Sequence, residues 1–333
     1  MSTVAAPPPL LAVRQLRVQL AVRAGGFWRR KVPLRAVEDV NFNLHAGETL
    51  GLVGESGSGK STLARVLVGL QAVTSGAIHF DGRDLVRLTP KAWRPLRREI
   101  QLVFQDPLSS LSPRMRVGKA VAEPLKALYP EMRPAERAAR AAQMLERVGI
   151  PGEYHRRFPH QFSGGQAQRI AIARALVVRP RLLICDEVVS ALDVSIQAEI
   201  LDLLMDLQRE FGLAMLFISH DLAVVRHLSH RVMVMYFGRA MEHGPVDQIF
   251  NAPRHPYTRA LLAAMPGSQA PLEHRILEGE LPSPLTPPQG CAFATRCPMA
   301  DEQCARRAPH ARRFADGGMS ACHYAVDAAA VAA

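Results

Sequence analysis

Short apolar runs alternate along this chain with longer stretches whose apolar residues recur at every third or fourth position. The runs "TLGLV" (49–53), "LLIC" (182–185) and "AMLFIS" (214–219) predict buried strands. The run "KSTLARVLVGL" from Lys60 predicts a helix after a glycine-rich loop. From Gln105 to His160 the pattern is helical. Pro134 stands at a first-turn position, Met144, Leu145 and Val148 form an apolar stripe, and Gly149 is a stop. "QRIAIARALVV" predicts another helix, ending before Pro180, and "VSIQAEILDLLMDLQREFG" a third. In the latter, Ile196, Ile200, Leu203, Leu204 and Leu207 share one side and Gly212 ends the pattern. Residues Leu10 to Leu44 read as short strands and turns, and "VMVMYFGRAMEHG" as a hairpin turning near Gly238. Strands alternating with helices predict a parallel, doubly wound α/β sheet, here interrupted by a helical insertion over about 106–178. After Asn251 prolines become dense and periodicity fades, which places a boundary near residue 250. The expected organisation is a disordered tail over 1–9, a main domain over 10–250 and an extension over 251–333.

The length of 333 residues allows two domains. No apolar run approaches the roughly 18 to 20 residues that span a bilayer. The start "MSTVAAPPPL" has neither a basic segment nor a long apolar core, so no export signal is expected. The net charge of +11 raises the question of nucleic acid. The basic residues, however, lie in small groups such as Arg29-Arg30-Lys31 and Arg97-Arg98, and no nucleic-acid-binding motif is present. The expectation is no nucleic acid and a basic surface that meets an acidic partner or an anionic membrane face.

"GESGSGKST" fits the pattern G-x-x-x-x-G-K-[ST] over Gly54, Glu55, Ser56, Gly57, Ser58, Gly59, Lys60, Ser61 and Thr62. Glycines let successive backbone N–H groups turn toward phosphate oxygens, and the helix that follows presents its positive end to the same anion. Lys60 adds a cation for the outer phosphates of ATP, and Ser61 a hydroxyl for Mg²⁺. At the end of the strand "RLLICDE" stand Asp186 and Glu187. Two acids after a strand are ordinarily just a strand end. Beside a phosphate loop they fit two tasks: Asp186 in the Mg²⁺ shell and Glu187 polarising the attacking water. Cys185, in the same strand, reads as a small buried hydrophobe.

"FSGGQAQRIAIARAL", Phe162 to Leu176, resembles the signature segment of ABC-type ATPases. The resemblance implies a P-loop ABC ATPase fold: a mixed, largely parallel sheet with antiparallel N-terminal strands, an inserted helical subdomain and a small irregular C-terminal extension. It implies a second anion site at Ser163, Gly164, Gly165 and Gln166. It also implies a head-to-tail pair with a second such subunit, identical or merely similar, each ATP lying between the phosphate loop of one and the signature turn of the other. Gln105 in "VFQD" resembles the glutamine that senses Mg²⁺, so the implied Mg²⁺ set is Ser61, Gln105 and Asp186. "SALD", Ser190 to Asp193, resembles the loop that crosses the dimer interface. His220 in "FISHD" resembles the switch histidine at the γ-phosphate, and with Glu187, Lys60 and Gln105 completes the implied catalytic set. The chain departs from the family at Leu20, where an aromatic residue usually stacks on adenine, with Phe27 or Trp28 as substitutes. It departs again at Ala167, usually a basic position.

"HPYTRALLAAMP", His255 to Pro266, and the following "PPQGCAFATRCPMADEQC" resemble the C-terminal extension of oligopeptide/dipeptide ABC importer ATP-binding subunits. Cys291, Cys297, Cys304 and Cys322 are spaced C-x5-C-x6-C-x17-C. In a reducing compartment a disulfide framework is disfavoured. Four cysteines in a loop-rich segment fit a [4Fe–4S] cluster, which some members of that family carry; zinc or no metal are the alternatives. The implied partners are two transmembrane permease subunits and a periplasmic or extracellular solute-binding protein, with this chain on the cytoplasmic face of the inner membrane. The transported solute is not legible. The competing function is a soluble ABC ATPase of DNA repair or translation.

Overall fold

The computed structural model describes residues 7–24, 30–266, 279, 282–283 and 285–326. Along the chain run strands β1 (Leu11–Ala24), β2 (Arg30–Leu44) and β3 (Thr49–Val53), helix α1 (Lys60–Leu67), and strands β4 (Ser75–Phe80) and β5 (Arg83–Asp84). Next come α2 (Pro90–Glu99), β6 (Ile100–Val103), α3 (Val117–Leu128), α4 (Pro134–Arg147) and α5 (Gly164–Leu176). They are followed by β7 (Leu182–Asp186), α6 (Val194–Phe211), β8 (Ala214–Ile218), α7 (Leu222–Leu228), β9 (Arg231–Tyr236), β10 (Arg239–Pro245), α8 (Val246–Asn251) and α9 (Pro256–Ala263). Beyond these lie α10 (Glu302–Arg306), β11 (Arg312–Arg313) and β12 (Met319–Ser320). No helix among the described residues is long and apolar enough to cross a membrane.

The chain gathers into two compact units. One comprises residues 44–49 and 87–218 with the described residues up to Leu10; the other comprises 11–43, 50–86 and the described residues from Ser219 onward. In the first unit β6, β7 and β8 pair in parallel, with Ile100 opposite Leu182 and Leu182 opposite Ala214. Every residue of β7 and β8 is buried, the burial of a strand covered on both faces, which is why these segments read as unbroken apolar runs. The amphipathic α6 buries Ile200, Leu204 and Leu207, and Gly212 ends it in the left-handed conformation at φ 62°. The helical insertion holds α3, α4 and α5, with Val121, Leu125, Leu145 and Ile170 in its core. Pro134 opens α4, and Gly149, at φ 80°, follows its end.

In the second unit β2, β1, β4 and β5 form a sheet in that order, and β1 runs antiparallel to β4. Here the sequence expectation is corrected. Leu10–Leu44 forms two long strands of 14 and 15 residues instead of several short ones. A kink at Gln15 (φ 47°) and another at Asp39 (φ 56°) break the two-residue alternation that would have marked each as one strand. Strand β3 pairs in parallel with β9, and β9 and β10 form the hairpin. Strand β12 adds to β10, and β11 to β12, so the largely irregular tail supplies two short strands to this sheet.

Candidate functional site

The phosphate loop leaves β3 at Gly54, whose φ of 148° suits only glycine; a Cβ there would run into the Met235 carbonyl oxygen. The same reasoning applies to Gly59, at φ 102° against the Ala36 carbonyl oxygen. The loop is pinned from within and from outside. Ser58 N–H donates to the Glu55 carbonyl (3.1 Å), and the Ser58 carbonyl accepts from Gly238 N–H (3.0 Å) at the tip of the β9–β10 hairpin. Ser56 and Gly57 are exposed, whereas Ser58 is buried. Lys60 is buried at the centre, where its ammonium donates to the carbonyls of Gly54 (2.7 Å) and Glu55 (3.0 Å). Helix α1 starts at Lys60, with Ser61 and Thr62 in its first turn and no side chain capping it. Its N-terminal amides therefore suit an anion. His220 belongs to this unit. It is exposed, between Ser219, whose N–H donates to the Leu52 carbonyl (3.2 Å), and Asp221, which caps α7 through Ala223 N–H (2.8 Å).

The other unit carries Gln105, Asp186, Glu187 and the Ser163 turn. Asp186 ends β7 and is buried. Glu187 follows at φ 52°, a positive value that a non-glycine residue adopts at a cost on the order of 1–3 kcal/mol and that clusters at functional sites. The turn is held by Glu187 N–H donating to the Ile218 carbonyl (3.0 Å) and by Ser190 Oγ donating to the Glu187 carbonyl (2.9 Å). Gln105 is exposed, and its Nε2 donates to Glu187 Oε2 at 3.0 Å, so the structure brings these two together. The amide oxygen of Gln105 is then the end left to bind a cation. Ser61, Gln105 and Asp186 each offer an oxygen, the donor type Mg²⁺ takes.

Ser163 caps α5. Its Oγ accepts from Gln166 N–H (3.3 Å), while Gln166 Oε1 accepts from Ser163 N–H (3.1 Å). Ser163 and Gly164 are exposed, and a Cβ on Gly165 would stand 2.5 Å from Ile196 Cγ2, so only glycine lets the turn sit this close to α6. Ala167 is buried. Leu20 lies on β1, and the substitutes Phe27 and Trp28 lie outside the described residues.

Cys185 is fully buried, and burial pushes its thiol pKa up. Cys291, Cys297, Cys304 and Cys322 line one cavity together with His255 and His323. All four are free thiols. Burial raises each pKa, Cys297 up to about 11, and neighbouring cysteines contribute to the rise in all four but Cys322. Cys291 N–H donates to the Cys304 carbonyl at 2.7 Å, and Gly290 allows that approach, since a Cβ would strike the same carbonyl. The donor types suit a metal cluster. Among the described residues, however, no three His, Cys, Asp or Glu side chains are grouped closely enough to hold a metal ion.

The sequence reading missed a second set of residues around the loop: Tyr257, Arg296 and Tyr236. Tyr257 Oη accepts from Glu55 N–H (3.0 Å), and Arg296 Nη1 donates to Glu55 Oε2 (2.8 Å). The only sequence signal was the "HPYT" segment itself.

The family model described as ABC transporter matches residues 37–190, and the one described as oligopeptide/dipeptide transporter, C-terminal region, matches residues 241–304. The chain is 51% identical over 306 residues to the oligopeptide transport ATP-binding protein OppF of Escherichia coli, covering 90% of this chain and 92% of that protein. It is 52% identical over 294 residues to a putative peptide import ATP-binding protein of Brucella abortus, covering 88% and 87%. Among solved structures, the ATP-binding cassette MJ0796, dimeric and bound to ADP and Pi after hydrolysis, superposes with a TM-score of 0.63 at 29% identity, covering 71% of this chain and 98% of that one.

Proposed function

This chain belongs to the ABC transporter ATP-binding subunits of the oligopeptide/dipeptide type, and from that premise we propose how its residues energise the uptake of peptides. The protein hydrolyses ATP to drive a transporter. The observation that carries the residue assignment is Lys60, buried inside a loop whose Gly54 and Gly59 leave no room for a side chain and held by loop carbonyls. Incoming phosphate oxygens replace those carbonyls as partners of the ammonium, while the loop amides and the uncapped start of α1 receive the rest of the negative charge. Glu187 orients and deprotonates the attacking water, His220 contacts the γ-phosphate, and Gln105, bonded to Glu187, turns its amide oxygen to the cation. Ser61, Gln105 and Asp186 would hold Mg²⁺, which neutralises phosphate charge when bound. Lys60→Ala is expected to abolish ATP hydrolysis, and wild-type turnover in that variant overturns the assignment.

The exposed Ser163–Gly164 turn completes the nucleotide site of a partner ATPase subunit, so hydrolysis needs a pair of subunits. Glu187→Gln is expected to accumulate an ATP-bound dimer in size exclusion; a monomer that still hydrolyses ATP removes the water-activating role. The pair works peripherally, on the cytoplasmic face of the inner membrane, against two permease subunits. Phe104 and Leu108, 37% and 48% exposed, flank Gln105 and supply apolar surface for that contact. A solute-binding protein delivers the peptide on the opposite side.

The four cysteines are proposed to hold an iron–sulfur cluster. Their convergence on one cavity supports this reading. As placed they are a lining and not yet a ligand set, so the cluster would draw the four thiols together and fix the segment around it. No step of hydrolysis runs through it. Anaerobic reconstitution with iron and sulfide, followed by iron analysis and visible absorption, tests it; a protein that takes up zinc alone, or no metal, refutes it.

A further inference from the structure

The C-terminal segment reaches the phosphate loop at one residue, Glu55, by two routes. Tyr257 Oη accepts from Glu55 N–H, and Arg296 Nη1 donates to Glu55 Oε2, at 3.0 and 2.8 Å. Glu55 N–H and the Gly54 carbonyl belong to one planar peptide unit. That carbonyl is the acceptor of Lys60 at 2.7 Å. Tyr257 therefore holds one edge of the peptide whose other edge holds Lys60, and it fixes the direction in which the unit points. Tyr257 is itself immobilised. Its ring is fully buried and packs against Tyr236 and Phe293 at centroid distances of 4.7 and 5.3 Å.

Arg296 answers an electrostatic problem. Glu55 places a carboxylate inside a loop that receives a polyanion, where an uncompensated negative charge repels the ligand. Arg296 covers that charge. Its own side chain is 7% exposed and that of Glu55 is 23% exposed, so solvent screens the pair only in part. Arg296 closes the short 3₁₀ turn Ala294–Arg296, immediately before Cys297. The "HPYT" helix and the cysteine segment thus meet the nucleotide loop at the same residue, one at its backbone N–H and the other at its carboxylate.

We propose that Tyr257 and Arg296 are positioning residues for the phosphate loop, Tyr257 by orienting the Gly54–Glu55 peptide and Arg296 by neutralising Glu55. The proposal rests on the reading of that loop as the ATP site. Full-length protein is tested in steady-state ATPase assays and by direct binding of a fluorescent ATP analogue. Arg296→Ala is expected to raise KM and analogue Kd about three- to tenfold, with kcat changed far less. Adding Glu55→Gln is expected to bring both values back toward wild type, because the charge that Arg296 covers is then gone. A merely architectural arginine would not be rescued this way. Tyr257→Phe keeps the ring and removes the acceptor, and is expected to lower kcat/KM by about threefold or more.

Should Arg296→Ala fail to fold, Arg296→Lys, the Arg296→Ala/Glu55→Gln pair and Tyr257→Phe decide the question by the same readouts. Unchanged KM in Arg296→Ala, or no recovery in the double variant, overturns the role of Arg296. Unchanged kcat/KM in Tyr257→Phe overturns that of Tyr257. Lys60→Ala separates this inference from its premise. If Lys60→Ala binds the analogue as wild type does, the loop reading itself fails. If it loses binding while the Arg296 and Tyr257 variants are neutral, only the present inference fails.

Discussion

The Glu242→Gln substitution isolates what anchors the "HPYT" segment. Glu242 lies on β10 with no exposed surface. One carboxylate oxygen accepts from Arg254 N–H (2.7 Å) and from Gln248 Nε2 (3.0 Å); the other accepts from His255 N–H (2.9 Å). These bonds fasten the two residues that enter α9. Glutamine has the same shape, so no cavity opens and only the polar balance changes. Whichever way the amide is turned, its NH₂ faces at least one buried backbone N–H. That N–H loses its acceptor at about 1–3 kcal/mol. The surviving bonds drop from charge-assisted to neutral, roughly half as strong. The sum is about 2–4 kcal/mol of local stability, or roughly 30- to 1000-fold in the opening equilibrium. Amide hydrogen exchange of the peptide spanning 246–260 reads that equilibrium directly, and exchange in this segment is expected to accelerate by that factor. Exchange unchanged or slowed would show that burying the carboxylate costs more than its three hydrogen bonds return, and the anchoring argument would be refuted.

Other expectations rest on single features. Gly59→Ala forces a Cβ toward the Ala36 carbonyl at φ 102°; it is expected to cost on the order of 1–3 kcal/mol in urea denaturation and to weaken ATP binding at least tenfold, and a variant with wild-type affinity contradicts the loop geometry. Gly165→Ala, pressed against Ile196, is expected to leave nucleotide binding to the monomer intact while hydrolysis falls, as measured by comparing analogue affinity with turnover. Stability is expected to fall on acidification, because burial lowers the pKa of His255 to about 4 and that of His243, also beside Arg231 and Arg313, to about 3. In the unfolded chain both titrate near 6.5. The folded state thus gains from their neutrality above about pH 6.5 and loses that gain as pH falls toward 4, at up to about 1.4 kcal/mol per pH unit for each histidine. His255 has a structural reason to stay neutral, since its Nδ1 accepts from Tyr257 N–H at 3.0 Å and a proton there would remove the acceptor. Equal urea midpoints at pH 7 and pH 5 would refute this.

What the sequence determined by itself is local. The loop "GESGSGKST" announces itself because glycine positions, a lysine and a helix start are contiguous, and the strands β7 and β8 because burial on both faces leaves unbroken apolar runs. Helix ends at Gly149 and Gly212 follow from the left-handed conformations those positions adopt. The chemical types of Asp186, Glu187 and His220, and the four-cysteine spacing, were equally legible. Tertiary structure decided whatever depends on backbone irregularity or on pairing across long separations. The kinks at Gln15 and Asp39 scrambled the alternation of two long strands, and β12 found β10 from more than seventy residues away. The bond between Gln105 and Glu187 spans 82 residues, and that between Arg296 and Glu55 spans 241. No local pattern encodes such contacts. They form because a partly buried carboxylate gains from nearby donors, and the fold alone decides which donors lie within reach.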